Sequence, residues 1–203
     1  TVVSESMTPA VLTPLRTALA TPHAPPRPAA RPGVAAAVLV PLFERDGELH
    51  LLYTTRSATL PQHAGQVAFP GGRHTPATDA SLLATALRET EEEIGVAGAD
   101  IDVLGALDPI HTFSSNFLIT PFVGRIPHPY PFRPNPHEVH DIFSIPLAVL
   151  DDPATVVAET WTIDGRSVPV VSYRHDGRTV WGATQRITAT LLDLLTAIRA
   201  HQD

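Results

Sequence analysis

The sequence reads Phe-Pro-Gly-Gly-Arg at residues 69–73 and Arg-Glu-Thr-Glu-Glu-Glu-Ile-Gly-Val at residues 88–96. Apolar residues recur with helical spacing over residues 80–94. Asp79 is a suitable N-cap for such a helix, and Gly95 can end it. The two stretches therefore predict a glycine-rich turn that leads into an amphipathic helix.

Three glutamates of this predicted helix share one face. Glu89, Glu92 and Glu93 are related by steps of three and four residues, whereas Glu91 points elsewhere. Like charges at this spacing repel one another, and a divalent cation would remove the repulsion. Oxygen ligands alone suit Mg²⁺ or Mn²⁺, whose natural partner in a site is a substrate phosphate. We therefore predict that the three glutamates bind metal, and a solvated acidic helix face is the alternative.

Two further features favour a phosphate site. Arg88 lies four residues before Glu92 and can hold that carboxylate by an ion pair. Gly71 and Gly72 allow the backbone to approach a ligand closely and to present a carbonyl to a metal. We predict that Arg88 is catalytic together with Glu89 and Glu92, and that the two glycines bind substrate.

These residues resemble the signature of the Nudix hydrolase superfamily, which reads Gly, five residues, Glu, seven residues, then Arg-Glu-apolar-x-Glu-Glu-x-Gly-apolar. Residues 88–96 match its second half, with Thr90 at an apolar position. The first half differs, because fifteen residues separate Gly72 from Arg88 instead of thirteen, and Asp79 is the acid nearest to the expected glutamate. The resemblance implies a Nudix-type α/β/α sandwich with a mixed β-sheet, whereas pattern alone indicates a mixed α/β or α+β fold.

The segment before the helix is similar to the additional signature of one branch of that superfamily, the coenzyme A diphosphatases. Residues 51–57 read Leu-Leu-Tyr-Thr-Thr-Arg-Ser, and residues 60–72 read Leu-Pro-Gln-His-Ala-Gly-Gln-Val-Ala-Phe-Pro-Gly-Gly. Their place in this signature favours a substrate-binding role for Arg56, His63 and Gln66. The alternative is a surface charge for the arginine and structural hydrogen bonding for the other two.

Composition limits the classes of function. The 203 residues are 43% apolar, which is typical of a soluble globular protein, and no apolar run is long enough to span a membrane. The chain has no Cys and no Lys, which excludes thiol chemistry, a Walker-type phosphate loop and Schiff-base catalysis. A net charge of −7 argues against nucleic acid as a partner and favours a small ligand. We expect a cytoplasmic protein without membrane contact, and a homodimer is among the assemblies that the sequence allows.

The remaining pattern predicts strands around the glutamate helix. Strands are expected at residues 34–43, 48–55, 66–69, 101–107, 117–126, 142–145, 158–163 and 167–174, and further helices at residues 8–20 and 183–200. Turns at Asp46-Gly47 and Asp164-Gly165 indicate two hairpins, and Pro121 indicates a bulge or an unpaired edge. Residues 1–33 are predicted to form an N-terminal helix with a Pro- and Ala-rich connector, and residues 34–203 the Nudix domain.

A proline-rich segment precedes two candidate acids. Residues 127–136 contain five prolines and predict a stiff loop without secondary structure of its own. Glu138 and Asp141 follow this loop. In the Nudix superfamily an acid from this region supplies a metal ligand or positions the attacking water, so the resemblance implies a catalytic role for Glu138, with Asp141 as second choice. A surface acid is the alternative for both.

The resemblance implies metal-dependent hydrolysis of the diphosphate bond of coenzyme A or its thioesters, giving adenosine 3′,5′-bisphosphate and 4′-phosphopantetheine. Residue spacing alone reaches only metal-dependent phosphate chemistry with Mg²⁺ or Mn²⁺. One alternative is a Nudix hydrolase of another nucleoside diphosphate compound, such as ADP-ribose, NADH or a dinucleotide polyphosphate. The other is a catalytically silent ligand-binding module on the same scaffold.

Overall fold

The computed structural model describes residues 9–20, 33–60, 63–112, 115–163 and 165–201. The helices in these ranges are α1 (Leu12–Ala20), α2 (Leu82–Ile94), α3 (Leu147–Asp151) and α4 (Gly182–Ala200). The strands are β1 (Val34–Arg45), β2 (Glu48–Arg56), β3 (Val67–Ala68), β4 (Gly71–Arg73), β5 (Asp102–Ala106), β6 (Ile110–His111), β7 (Phe117–Arg125), β8 (Val139–Pro146), β9 (Val156–Ile163), β10 (Arg166–His175) and β11 (Arg178–Trp181).

The strands form two sheets within the described ranges. The larger sheet has the order β3-β2-β1-β7-β5, with β4 paired to β1, β6 to β7 and β8 to β2. It is mixed, because β1 and β7 run parallel while the other strand pairs are antiparallel. The smaller sheet has the order β11-β10-β9. The predicted mixed α+β class is therefore confirmed.

Strand β1 separates two hydrophobic cores. Val40 and Leu42 pack into a core with α1 and α4, whereas Leu39 and Phe43 pack into a second core that includes Ile94 of α2. Both faces of the strand are buried, which explains why its sequence is a nearly continuous apolar run instead of an alternating one. Helices on both sides of the sheet give the α/β/α sandwich.

The first predicted hairpin is confirmed. Strands β1 and β2 pair in antiparallel register from Leu42 opposite Leu51 to the turn at Asp46-Gly47. Both turn residues have positive φ, 56° and 82°, which is the conformation that Asp-Gly favours in a two-residue hairpin loop. In the second predicted hairpin β9 and β10 pair as expected, but Asp164 lies outside the described residues.

The prediction for Pro121 is correct only in part. Strand β7 is not an edge, because it lies between β1 and β5. Its pairing on the β5 side is nevertheless interrupted there: Phe122 pairs with Ala106, whereas Ile119 already pairs with Ile110 of β6. A proline fits this interval because, among the described residues, Pro121 keeps its ladder partner Val38 on the β1 side but has none on the side of β5 and β6.

The glutamate helix starts later than predicted, and its N-cap is Ser81 instead of Asp79. The Ser81 side chain accepts a hydrogen bond from the Ala84 backbone N–H at 3.1 Å, as a good N-cap does. Gly95 ends the helix with φ of 74°, which confirms the predicted C-terminus. Asp79 is free for another role because it lies outside the helix.

The N-terminal helix packs on the same core as the C-terminal helix. A short 3₁₀ turn at Pro9–Val11 leads into α1, whose Leu15 and Leu19 are buried together with Leu191 of α4. The first residue of the helix predicted at residues 8–20, Thr8, lies outside the described residues. The predicted boundary between the N-terminal segment, residues 1–33, and the Nudix domain, residues 34–203, stays a prediction. In the described part of the chain, no helix is both long and apolar enough to cross a bilayer.

Candidate active site

Three carboxylates from two elements meet at one point. Helix α2 contributes Glu89 and Glu93, and the residue before β8 contributes Glu138. One oxygen of each side chain lies within 4.8 Å of an oxygen of each of the others. The helix brings Glu89 and Glu93 together through its i, i+4 spacing, but only the tertiary fold adds Glu138.

Glu93 is the most enclosed of the three carboxylates. Only 4% of the residue is exposed, and its carboxylate accepts a weak hydrogen bond from the Gly71 backbone N–H at 3.4 Å. Burial raises the pKa of Glu93 to about 8, with Arg56 acting in the opposite direction and Glu138 and Glu89 adding to the increase. Within the described residues Glu93 forms no ion pair, so the attraction of Arg56 and the Gly71 N–H offset the cost of its burial only in part.

Glu89 lies between an arginine and a glycine. Arg88 Nη2 lies 2.9 Å from Glu89 Oε1. Burial is the largest effect on the Glu89 carboxyl and raises its pKa, while Arg88 lowers it. Gly72 packs directly on this carboxylate, since a Cβ at that position would lie 2.6 Å from Glu89 Cδ. The glycine therefore leaves the space that the carboxylate fills.

The two glycines belong to a strand and not to the predicted turn. Strand β4 pairs Gly71 with Val38 and Gly72 with Ala37 of β1. Gly71 has φ of 153°, and a Cβ there would collide with the backbone of β1, so no side chain fits. The β4 pairing thus fixes the glycine backbone beside α2, where Glu89 and Glu93 are located.

Arg88 forms ion pairs with three acids, Asp79, Glu89 and Glu92. Its Nε and Nη2 donate to Asp79 Oδ1 and Oδ2 at 2.7 and 3.0 Å. Its Nη1 donates to Glu92 Oε2 at 2.9 Å, as predicted from the i, i+4 spacing. Hydrogen bonding from Arg88 is also the main reason that the pKa of Asp79 lies well below its usual range. Sequence reasoning noted Asp79 as the nearest acid but missed this bidentate pair.

Glu92 is not part of the carboxylate cluster. Its side chain is 53% exposed, and its carboxylate pairs with Arg88. On the other side of the site, Glu138 Oε1 accepts a hydrogen bond from Asn135 Nδ2 at 3.3 Å, and the Glu138 carbonyl accepts one from the Ser57 backbone N–H at 2.8 Å. The proline-rich loop, which has no regular secondary structure as predicted, thus ends in contacts that hold Glu138.

The predicted substrate-binding side chains lie at the ends of β2 and β3. Arg56 is the last residue of β2, and its Nε is buried without a hydrogen-bond partner among the described residues. Its backbone N–H donates to the Gln66 carbonyl at 2.9 Å. His63 Nδ1 lies 3.0 Å from Gln66 Oε1, so these two side chains hold each other. Arg56 therefore brings an unsatisfied cationic donor close to Glu93.

Asp141, the second-choice acid, lies apart from the cluster. Its Oδ2 accepts a hydrogen bond from Arg178 Nη2 at 2.6 Å. It pairs with Thr55 across the sheet, one residue before Arg56. Sequence reasoning did not connect Asp141 with Arg178, because 37 residues separate them and the contact joins two sheets.

The residues present fit a hard divalent cation. The donors are carboxylate oxygens from Glu89, Glu93 and Glu138, which is the ligand chemistry of Mg²⁺ and Mn²⁺. Glu93 supplies the observation that tests the fit, because its buried carboxylate has a strongly raised pKa and no ion-pair partner among the described residues. A cation at this point would offset both the burial and the mutual repulsion.

Comparison with known proteins places this site in a family. Residues 33–168 match the NUDIX domain. The chain belongs to the NUDIX family. The domain match and the relatives named Nudix hydrolases show that the chain is a pyrophosphohydrolase of the Nudix type. Enzymes of this family generally require divalent metal ions, which agrees with the carboxylate cluster.

Relatives with similar sequences carry the name uncharacterized Nudix hydrolase NudL. The protein of Photorhabdus laumondii is 41% identical over 152 residues, which cover 75% of this chain and 80% of the relative. The protein of Cronobacter sakazakii is 50% identical over 113 residues, which cover 56% of this chain and 57% of the relative. The chain thus spans little more than half the length of the second relative.

A solved structure supports the fold. The crystal structure of a MutT/nudix family protein from Enterococcus faecalis superposes with a TM-score of 0.57 at 14% sequence identity. The match covers 94% of this Nudix chain and 70% of that chain. At this identity the likeness supports the architecture, which the described elements show independently.

Proposed function

We propose that this Nudix enzyme uses Mg²⁺ or Mn²⁺ to hydrolyse the diphosphate bond of coenzyme A or its thioesters, releasing adenosine 3′,5′-bisphosphate and 4′-phosphopantetheine. The observation that carries the diphosphate chemistry is the cluster of Glu89, Glu93 and Glu138 beside Gly72. The choice of coenzyme A, a nucleoside diphosphate compound, rests on the resemblance of residues 51–72 to the coenzyme A diphosphatase signature.

In this proposal Glu89, Glu93 and Glu138 hold the cation. A bound cation supplies neutralisation of phosphate oxygens and a lowered pKa for a bound water. Arg88 orients Glu89 through its ion pair and is itself oriented by Asp79. Glu92, predicted from the sequence as a ligand, keeps the role of a nearby acid that pairs with Arg88.

The substrate side of the proposal uses the predicted binding residues near the ends of β2, β3 and β4. The guanidinium of the half-buried Arg56 donates to a phosphate oxygen and so meets an anionic group with a charge-assisted hydrogen bond. Gly71 and Gly72 keep the β4 backbone close to β1 and to Glu89, and the diphosphate binds beside this backbone. His63 and Gln66 contact the substrate as a hydrogen-bonded pair beyond the end of β2.

The proposal is tested by steady-state hydrolysis of coenzyme A, ADP-ribose, NADH and a dinucleotide polyphosphate, each with Mg²⁺ and with Mn²⁺. We expect kcat/KM for coenzyme A to exceed the others by about tenfold or more, because a site built for one substrate rejects the others through unpaired polar groups. A clear preference for ADP-ribose would reject coenzyme A as the substrate.

Glu89→Gln tests whether the hydrolysis measured in this comparison depends on the proposed cation site. The amide keeps the shape of the side chain but removes the charge that the cation needs, so we expect metal-dependent turnover to fall roughly a hundredfold. Metal-dependent turnover that survives in E89Q would show that the catalytic assignment is wrong. Wild-type protein that takes up Mn²⁺ in calorimetry but hydrolyses none of the four compounds would favour the silent binding module.

A further inference from the structure

The NUDIX match ends at residue 168, yet a side chain beyond it reaches back to the catalytic sheet. Arg178, the first residue of β11, donates from Nη2 to Asp141 Oδ2 at 2.6 Å and from Nη1 to Thr55 Oγ1 at 3.3 Å. Its guanidinium carbon lies 3.8 Å from the centre of the Phe143 ring. One arginine therefore joins the smaller sheet to both β2 and β8.

The contact lies at a break in strand pairing. Thr55 and Asp141 are the last residues of β2 and β8 that pair in continuous register. The register then shifts, because Arg56 pairs with Val139, so His140 is the additional residue of a β-bulge. A β-bulge bends its strand and changes the direction of the side chains that follow, and such bulges are common next to active sites.

Two residues of the proposed site lie on the far side of this bulge. Arg56 follows Thr55 directly on β2, and Glu138 precedes Val139 at the start of β8. The Ser57 backbone N–H donates to the Glu138 carbonyl at 2.8 Å, which links the two strands beyond the bulge. The directions of Arg56 and Glu138 therefore depend on where the regular pairing of Thr55 and Asp141 ends.

We propose that Arg178 and Asp141 are positioning residues for the active site. Their ion pair fixes the point at which the regular β2–β8 pairing ends and the bulge begins, and in this way it sets the directions of Arg56 and Glu138. The inference rests on the roles given to these two residues under the proposed function. The planar guanidinium suits this task, because it can bond Asp141 and Thr55 in one plane while its face lies on Phe143.

A purely stabilising role does not account for the pair. The side chains of Arg178 and Asp141 are 34% and 41% exposed, so water reaches and screens this part-buried pair, which limits its contribution to stability. By contrast, groups that orient metal ligands or catalytic side chains typically change metal affinity or activity by roughly 10- to 100-fold when they are replaced. The pair should therefore affect the site more than the fold.

The test uses Arg178→Gln, Asp141→Asn and the double variant in the full chain. We expect each single variant to weaken Mn²⁺ binding in calorimetry about tenfold, since Glu138 loses its fixed direction, and to lower kcat/KM for coenzyme A by a similar factor. The double variant should be no worse than either single variant, because both changes break the same contact. Arg178→Lys keeps the charge without the planar fork, so it should fold and still show most of the loss.

Arg174→Gln is the matched control, because Arg174 lies on the same small sheet and pairs with Glu159 away from β2 and β8. We expect its Mn²⁺ affinity, kcat/KM and Tm to match the wild type. The positioning role is overturned if R178Q and D141N behave like R174Q, or if their losses multiply in the double variant. Calorimetry with Mn²⁺ needs no substrate, so it decides this inference even if coenzyme A is not hydrolysed.

Discussion

At the scale of single residues, Glu93 shows how the site exchanges stability for the capacity to bind a cation. Its carboxylate is almost fully buried, and burial raises its pKa to about 8. Glu89 and Glu138 increase the cost, because both are acids close to the same point. Such an arrangement is unfavourable in the empty site and becomes favourable when a divalent cation binds.

Gly72→Ala should damage the site through one methyl group. The backbone at Gly72 suits an L-residue, but the new Cβ would lie 2.6 Å from Glu89 Cδ and must push this carboxylate away from Glu93 and Glu138. We expect Mn²⁺ affinity in calorimetry and kcat/KM to fall roughly tenfold or more.

Gly98→Ala is the control for that prediction. A Cβ at Gly98 would meet its nearest neighbour, Leu87 Cβ, at 3.5 Å, an ordinary contact distance. Metal affinity and turnover should therefore stay at the wild-type level. Unchanged Mn²⁺ binding in G72A would mean that the Glu89 carboxylate does not need the position that the glycine leaves open.

At the scale of the element, two separate contacts hold the N-terminal part of helix α2: the Ser81 cap and the Asp79–Arg88 ion pair. Ser81 caps the backbone N–H groups of the first turn, while Asp79 binds the guanidinium of Arg88 two turns later. The Thr75 backbone N–H and the Thr85 hydroxyl also donate to Asp79, so this buried carboxylate has several donors. The altered spacing before Arg88 thus still supplies an acid for that arginine.

Asp79→Asn should loosen this helix and the site together. Loss of the Asp79 charge removes the main partner of Arg88, so we expect the D79N variant to unfold at a lower urea concentration than the wild type. Because hydrogen bonding lowers the pKa of Asp79, its contribution is complete at neutral pH and is lost as pH falls below about 4. The D79N variant should show less loss of stability on acidification than the wild type.

Ser81→Ala distinguishes the effect of the N-cap from that of the Asp79–Arg88 ion pair. Loss of the N-cap should cost about 1 kcal/mol at every pH, without a change in the acid dependence. Equal acid sensitivity of D79N and the wild type would contradict the assignment of the low pKa to the Asp79–Arg88 pair.

At the scale of the whole molecule, the N-terminal helix forms part of the main core. Leu15 is fully buried in the core that α4 and the sheet share, and Arg16 Nη1 donates to the Val103 carbonyl of β5 at 2.9 Å. Gly105 of β5 gives the helix room, since a Cβ there would lie 2.6 Å from Leu19 Cβ. Helix α1 therefore packs on β5, on the face of the sheet opposite α2.

Leu15→Ala should destabilise the entire domain. Removal of a fully buried leucine side chain leaves a cavity, so we expect a loss of about 2–5 kcal/mol in one cooperative transition. Thr13→Ala on the exposed face of the same helix is the control and should leave Tm nearly unchanged. A normal Tm in L15A would show that the helix is not docked in solution.

Local patterns made several parts of this structure predictable. The Asp46-Gly47 turn, the C-terminus of α2 at Gly95 and the Arg88–Glu92 pair depend on residues close in sequence, and each was predicted correctly. Asp79 was assigned wrongly because an acid before an apolar helix pattern is a good N-cap, and only packing shows that it binds a side chain two turns away.

The amino-acid pattern was enough to predict the glutamate helix, eight of the eleven strands in the described residues and the oxygen-rich character of the site, because these depend on the spacing of a few residues; the short strands β4, β6 and β11 were not predicted. Only the tertiary structure decided that Glu138 and not Glu92 completes the carboxylate cluster, and that Arg178 contacts Asp141. The physical reason is that these contacts join segments tens of residues apart, whose directions are set by strand register and a β-bulge, and neither leaves a local pattern in the sequence.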